Sequence, residues 1–354
     1  MSSLKNVIIG CSPLGGLYKP LKDGQLGADS IIQTAVSLGF HQFDTAPHYG
    51  CGLSEERLGL ALLTVGDSKS KCNIWSKVGR IILPQPLRTI VNPDILRRVE
   101  FSNVPGEKSC IFPEASIERT PILDYSESGI RKSFEDSLMR LQVDKLHGLR
   151  LHDFDDDNRM HEIVFHGGIE ELWRLRRLSL IEDVSIGVNS PETALRLIHL
   201  LQENNKQSLL CGAESMFDSI LVANSWNLID HPISCMELFS TCRQLNIKLH
   251  NAGIFATGLL VGGDRYKYEV IDESSPIYVK VSQWMKLSIK YNIPLPCIAI
   301  AFSLRQVDAI VVGVKESCEV TEFFAWLQQY DRESEQWPSL WQEAKSLNLI
   351  ASYC

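Results

Sequence analysis

Hydrophobic positions in this chain fall into two alternating kinds of segment. Short, almost wholly apolar runs recur at Val7–Cys11, His41–Thr45, Asn73–Lys77, Leu146–Leu151, Asp183–Val188, Ser219–Ala223, Ile247–His250 and Ala309–Gly313. They lack the strict alternation of a half-solvated strand, which suits parallel strands buried on both faces. Between them lie stretches with helical periodicity: Ala28–Leu38, Ser54–Leu63, Ser126–Leu141, Asn158–Arg177, Pro191–Leu201, Ile233–Leu245, Ile277–Tyr291 and Ser317–Tyr330. Eight strands alternating with eight helices predict a (β/α)8 TIM barrel. A doubly wound sheet is the competitor, but Gly10-Cys-Ser-Pro-Leu-Gly15-Gly16 lacks the spacing of a dinucleotide-binding fingerprint.

Two segments exceed the eightfold pattern. Residues 80–125 are too long for an ordinary connection and hold Pro84, Pro86, Pro93, Pro105, Pro113 and Pro121. Following the third strand, this loop is expected to overhang the active-site face. Glu333–Leu347, with Trp337 and Trp341, reads as an extra C-terminal helix. No boundary interrupts the pattern, so residues 1–354 are expected to form a single domain.

Composition narrows the function. The chain of 354 residues is 44% hydrophobic and 22% charged, with a net charge of −8. That balance gives no electrostatic reason to expect nucleic acid or an anionic membrane as partner. The ten cysteines are scattered and form no C-x-x-C pair, which argues against a zinc site. Cys72, Cys211 and Cys297 lie in apolar runs and read as core. No signal segment and no apolar run of membrane length is visible, so reduced thiols and a cytoplasmic location are expected.

Chemistry gathers at the predicted strand ends. Asp44-Thr-Ala-Pro-His-Tyr49-Gly50 sets a carboxylate and a phenol just beyond the second strand. Lys77 closes the third strand, His152 follows the fourth, Asn189 the fifth and His250 the seventh. In a barrel such ends converge on one face. A buried ammonium needs a partner, and Asp44 can supply it. Lys77 is then expected to favour tyrosinate and lower the Tyr49 pKa, so that Tyr49 exchanges a proton with a carbonyl or alcohol. A neutral His152 would orient the substrate oxygen. Each residue also has a bland reading: Asp44 as a turn residue, Tyr49 as a loop aromatic, Lys77 as a solvated strand end, His152 as a packed histidine or metal ligand. The four in order, at strand ends of one barrel, carry the argument.

The same residues resemble the aldo-keto reductase superfamily. Its Asp-Thr-Ala…Tyr-Gly…Ser-Glu pattern is met by Asp44, Thr45, Ala46, Tyr49, Gly50, Ser54 and Glu55. Its lysine strand is met by Ser76–Arg80, and its histidine by His152-Asp153. Asp124–Leu141, Ile186-Gly-Val-Asn189, Thr257-Gly-Leu-Leu260 and Val311-Val-Gly313 follow in family order, over residues ~1–330. The sequence is most similar to the aldose 1-dehydrogenase group, with pyridoxal 4-dehydrogenase nearby.

By that resemblance, Asn189 would hydrogen-bond a nicotinamide carboxamide. Gly253, Phe255, Gly258 and Leu259 would follow the pyrophosphate, and Gly313, Lys315, Glu319 and Glu322 would hold the adenosine. Ala252 falls where many members place an aromatic under the nicotinamide ring. Tyr18, His48 and Trp226 are expected to shape the substrate pocket. Arg150 is unusual, since the strand position two before the histidine is normally apolar or small in that family. NAD is expected, with NADP possible: Glu319 stands where many NADP-binding members have Arg, though Lys315 pulls the other way. No metal is expected, because the strand ends lack a His-x-His pair or carboxylate cluster.

The implied reaction is hydride transfer between NAD(P) and C1 of an aldose, giving the lactone, with Tyr49 as general acid/base. The alternatives are NADPH-dependent reduction of an aldehyde such as pyridoxal, and a non-catalytic barrel used as a binding subunit. The oligomeric state stays open between monomer and dimer.

Overall fold

In the computed structural model, residues 3–354 other than 211–213, 268, 273 and 334 are described. Eight parallel strands close into a barrel: β1 (Val7–Gly10), β2 (Gln42–Asp44), β3 (Asn73–Val78), β6 (Gly148–His152), β7 (Asp183–Val188), β8 (Ser219–Ala223), β9 (Lys248–Ala252) and β12 (Ala309–Gly313). β1 pairs with both β2 and β12, which closes the ring. All eight coincide with predicted apolar runs to within a few residues. They are legible because each is buried on both faces.

Their side chains separate into two populations. Val7, Ile9, Phe43, Ile74, Val78, Leu149, Leu151, Val184 and Ile186 face outward into the large core shared with the helices. Ile8, Trp75, Leu221, Ala309 and Val311 form a second, smaller cluster inside the barrel. Gly148 makes room there, since a Cβ on it would sit 2.1 Å from the Trp75 indole. The rest of the interior is polar, with Asp44, Lys77, Arg150, Ser185, Ser219 and His250 all buried.

The outer helices are α1 (Gly24–Ser37), α2 (Leu53–Leu63), α4 (Glu127–Leu141), α5 (Asp157–Phe165), α6 (Gly168–Arg177), α7 (Pro191–Glu203), α8 (Ile233–Gln244), α9 (Pro276–Tyr291), α10 (Leu295–Leu304) and α11 (Ser317–Arg332). Several begin where the sequence supplies a cap. The Ser126, Asp156 and Ser190 side chains accept from the amides of Gly129, Arg159 and Thr193. Two expectations change. The single helix foreseen over 158–177 is broken into α5 and α6 at Gly167, whose φ is 80°. Helix α10 was not foreseen: eight of its ten residues are buried, so it shows no polar face to give it periodicity.

The 80–125 excursion folds over the barrel mouth. Its two ends pair antiparallel as β4 (Arg80–Leu83) and β5 (Thr120–Leu123), with short α3 (Pro93–Leu96) between them. Glu100 fastens it to Arg80, and Glu114 fastens it to Arg57. A two-stranded ribbon, β10 (Arg265–Tyr266) and β11 (Glu269–Val270), lies between β9 and α9. Helix α12 (Trp337–Ser346) occupies the predicted C-terminal position; Trp341 packs against Phe302 of α10. Cys297 is buried and Cys72 half-buried, while Cys211 lies outside the described residues. Among the described residues no single helix is long and apolar enough to cross a membrane.

Candidate active site

Asp44 is the last residue of β2, and the chain after it is built to present Tyr49. Thr45 donates its backbone N–H to the Trp75 carbonyl at 2.9 Å, holding the loop to β3. Ser54 opens helix α2 and donates to the Cys11 carbonyl at 2.6 Å, while Thr45 Oγ1 donates to Ser54. Glu55 accepts from Ser76 of β3 and from Arg140 of α4, each at 2.6 Å. The Ser-Glu pair of the sequence motif thus braces the Tyr49 loop and does not face the cleft. On the other side the loop presses on Gly15, where a Cβ would lie 2.6 Å from the Tyr49 carbonyl carbon.

Lys77 joins the pieces. Its ammonium donates to Asp44 Oδ1, to the Thr45 carbonyl at 2.8 Å and to the Tyr49 hydroxyl at 3.0 Å. The His152 ring stands edge-on to the Tyr49 ring, 6.0 Å between centroids. The His152 carbonyl is held from behind by the hydroxyl of Tyr125 and by Arg80. Asp44, Tyr49, Lys77 and His152 therefore converge as the strand-end argument requires, although Tyr49 and His152 are 103 residues apart in sequence.

The electrostatics follow from burial. Burial, then the positive Arg80 and Lys77, holds His152 well below its ordinary pKa, so the ring is neutral. His48 is pushed down to about 3 for the same reasons. Lys77 is lowered by burial, against the pull of Asp44. Tyr49 departs from expectation: its pKa is held well above the ordinary phenol value, by burial first and then by the Asp44 and Asp153 carboxylates, with Arg80 opposing. The Lys77 hydrogen bond favours tyrosinate but does not outweigh burial in the protein alone. Tyr49 thus rests as the phenol.

These groups form one end of a cleft of about 810 Å³, large enough for a dinucleotide and a small substrate together. Tyr18 and His48 line it near Tyr49, with Ile111 and Phe112 from the overhanging excursion. Asn189, Ala252, Gly253, Phe255 and Gly258 line its middle, and Gly313, Lys315, Glu319 and Glu322 its far end. Asn189 is oriented by a bond to Asp153 at 3.1 Å. Glu319, in the first turn of α11, accepts from the Lys315 backbone N–H at 2.6 Å, which turns its carboxylate back toward the loop that enters the helix.

Three expected positions fall elsewhere. Trp226 is 1% exposed and stacks on Phe302 with 5.0 Å between centroids, edge-on to Phe239. It is core between barrel and helices, in the large cluster with Phe239 and Phe302. Leu259 is buried and absent from the cleft wall; the residues that face the cleft there are Thr257, Gly258 and Val261. His250 is not at a strand end: β9 runs on to Ala252, and His250 points into the barrel interior against Arg150.

Sequence reasoning also missed wall residues. Arg80 and Asp153 lie inside the family motifs, and both also line the cleft. Asp153 has φ 48°, an unusual conformation for a residue other than glycine, and such strain is a signal only coordinates show. Phe323 and Trp326 of α11 reach the cleft; their i, i+3 spacing reads as an ordinary core stripe.

A closed parallel barrel with a Lys–Tyr–His–Asp constellation at its strand ends, opening into a dinucleotide-sized cleft, defines a barrel oxidoreductase. A family model described as "Aldo/keto reductase family" matches residues 6–341, and the chain belongs to that family. It is therefore an NAD(P)-dependent oxidoreductase acting on small carbonyl substrates. It is 26% identical over 332 residues to pyridoxal 4-dehydrogenase of Microbacterium luteolum, covering 91% of this chain and 89% of that one. It is 27% identical over 321 residues to D-threo-aldose 1-dehydrogenase of a Pseudomonas species, covering 88% and 86%. The fold matches the solved structure of a glycerol dehydrogenase from Gluconobacter oxydans with a TM-score of 0.65 at 20% identity, over 95% of this chain and 90% of that one.

Proposed function

We propose that this protein oxidises C1 of an aldose to the lactone with NAD, as a single barrel domain, Tyr49 carrying the proton. The observation that carries the reading is the Lys77–Tyr49 hydrogen bond of 3.0 Å at the cleft floor, beside a neutral His152. The cleft wall around Tyr49 adds His48, Arg80, Asn103 and Asp153, a set of donors and acceptors suited to a polyhydroxylated substrate.

The residues present fit a nicotinamide dinucleotide. A Cβ at Gly258 or Gly262 would meet nothing within 4 Å, so backbone is open to a pyrophosphate there. Asn189 offers an amide in the middle of the cleft. When bound, the nicotinamide supplies the hydride acceptor. In oxidation Tyr49, once its own proton has passed to solvent, takes the proton of the C1 hydroxyl, and in reduction the phenol donates it. Lys77 stabilises whichever step leaves charge on the phenol oxygen, and Asp44 fixes Lys77. His152, neutral, directs an N–H or lone pair to the same substrate oxygen. Glu319 and Glu322 at the far end support NAD over NADP, because two carboxylates repel a 2′-phosphate.

A second reading, reduction of an aldehyde such as pyridoxal, has one observation in its favour: Tyr49 rests as a proton donor. One experiment separates the readings. The purified protein is assayed with NAD and NADP against L-fucose, L-galactose, D-arabinose and pyridoxal. Sugar oxidation should dominate, and Tyr49→Phe should abolish turnover while cofactor binding, read by fluorescence quenching, persists. Turnover confined to pyridoxal overturns the aldose reading, and an active Tyr49→Phe overturns the role of Tyr49.

A further inference from the structure

Beneath the site lies a buried guanidinium that the reaction as described does not use. Arg150 is 0% exposed and occupies the barrel interior one layer below His152. Its Nε donates to Asp44 Oδ2 at 2.9 Å, while Asp44 Oδ1 accepts from Lys77. Three of its other four N–H groups go to neutral acceptors: Ser185 Oγ, Ser219 Oγ at 3.2 Å and His250 Nδ1 at 2.9 Å. Burial and Arg150 itself keep His250 uncharged, so Nδ1 accepts. Two cations are thus hydrogen-bonded to one carboxylate, and one of them, Lys77, reaches the Tyr49 hydroxyl at 3.0 Å.

We propose that Arg150 is a positioning residue for the Tyr49–Lys77 pair: by taking half of the Asp44 carboxylate it both aims Oδ1 at Lys77 and lowers the pH at which the pair releases its proton. The inference rests on the acid/base role assigned to Tyr49 above. Because the phenol and the ammonium share a hydrogen bond, they titrate as a pair. An extra positive charge nearby favours loss of the proton whichever atom holds it. Of the other ionisable groups around the pair, Arg80 acts on Tyr49 in the same direction, but its charge is matched from outside the pair. Burial keeps His48 and His152 neutral and the Cys11 thiol protonated. Arg80 is matched by a bidentate bond to Glu100 and leans on Asp153, whose own carboxyl is raised by burial. Asp183 is hydrogen-bonded to Ser219, and its own carboxyl is raised by burial although Arg150 opposes this. Burial imposes an upward drift on Tyr49, and Arg150 is placed to work against it from below.

The test is the pH dependence of kcat/KM for C1 oxidation in Arg150→Met, Arg150→Gln and Arg150→Lys. A difference titration of tyrosinate absorbance against Tyr49→Phe, with NAD bound, accompanies it. A unit charge ~8 Å away at an effective dielectric of ~20 moves a titration midpoint by about one to two pH units. Both neutral variants should shift the midpoint upward by that amount with cofactor KM nearly unchanged, and Arg150→Lys should titrate close to wild type. Arg150→Gln keeps polar hydrogen bonding should Arg150→Met fail to fold. Neutral variants that titrate with the wild type overturn the proposal. An active Tyr49→Phe instead sinks the assignment of Tyr49, and the absorbance titration then still decides whether Arg150 tunes that phenol.

Discussion

Glu100 sits in the excursion over the barrel mouth, far in sequence from any motif, yet it should control both stability and the shape of the site. It is 8% exposed and grips Arg80 with two bonds of 2.7 Å. Arg80 in turn supports the His152 carbonyl. The guanidinium holds the Glu100 carboxyl down from 4.5 to about 2 although burial acts the other way. Each pKa unit is worth about 1.36 kcal/mol, so a depression of about 2.5 corresponds to roughly 3 kcal/mol of folding stability at neutral pH. That agrees with the ~3–5 kcal/mol lost when one partner of a buried pair is removed. The sign is set by the depressed folded-state value: the contribution is complete above the unfolded pKa near 4.5 and is lost as pH falls toward 2. Linkage places about 0.8 kcal/mol of the loss already at pH 4. Glu100→Gln should therefore be destabilised by about 3 kcal/mol at pH 7, and its deficit against wild type should narrow at pH 4. Urea unfolding followed by circular dichroism measures the deficit. Trypsin cleavage at the exposed Arg97 and Lys108 reports separately whether the excursion opens before the barrel. Equal stabilities at pH 7, or a deficit unchanged by pH 4, would refute the reasoning.

Other residues make comparable claims. Trp226→Ala removes a stacked core indole and should cost about 3–5 kcal/mol by chemical denaturation, while the ranking of substrates by kcat/KM stays as in the wild type; a changed ranking would return Trp226 to the pocket. Glu319→Arg replaces a carboxylate at the far end of the cleft and should raise the NADP-to-NAD ratio of kcat/KM by tenfold or more, about 1.4 kcal/mol; an unchanged ratio would mean that Glu319 does not meet the ribose. Lys77→Met should reduce turnover as severely as Tyr49→Phe in the same assay, and retention of near wild-type kcat would remove Lys77 from the reaction.

The barrel was legible because burial on both faces leaves its mark on short runs of sequence, and the eight strands carry that mark. The four residues at the strand ends were legible for a related reason: a parallel barrel brings all carboxyl ends to one face, so order along the chain becomes proximity in space. What escaped were features whose signal is not local. Helix α10 is apolar all round and so has no face. Trp226 could not be assigned to pocket or core, because an indole suits both and only its packing on Phe239 and Phe302 decides. Leu259 sits between residues that do face the cleft, and it is buried just after the left-handed backbone of Thr257 and Gly258, with φ of 59° and 98°. The resting proton on Tyr49 depends on how completely the site is desolvated, a property of the assembled walls.

By itself, then, the sequence determined the strand count, the helical frame and the set Asp44, Tyr49, Lys77 and His152, since periodicity and strand-end position are written residue by residue. Tertiary structure decided the rest: the sharing of Asp44 between Lys77 and Arg150, the clamp of Glu100 on Arg80 and the state of the Tyr49 proton. Each of these arises where charged groups from distant segments are buried together, and the energy of a buried charge depends on its neighbours more than on its own identity.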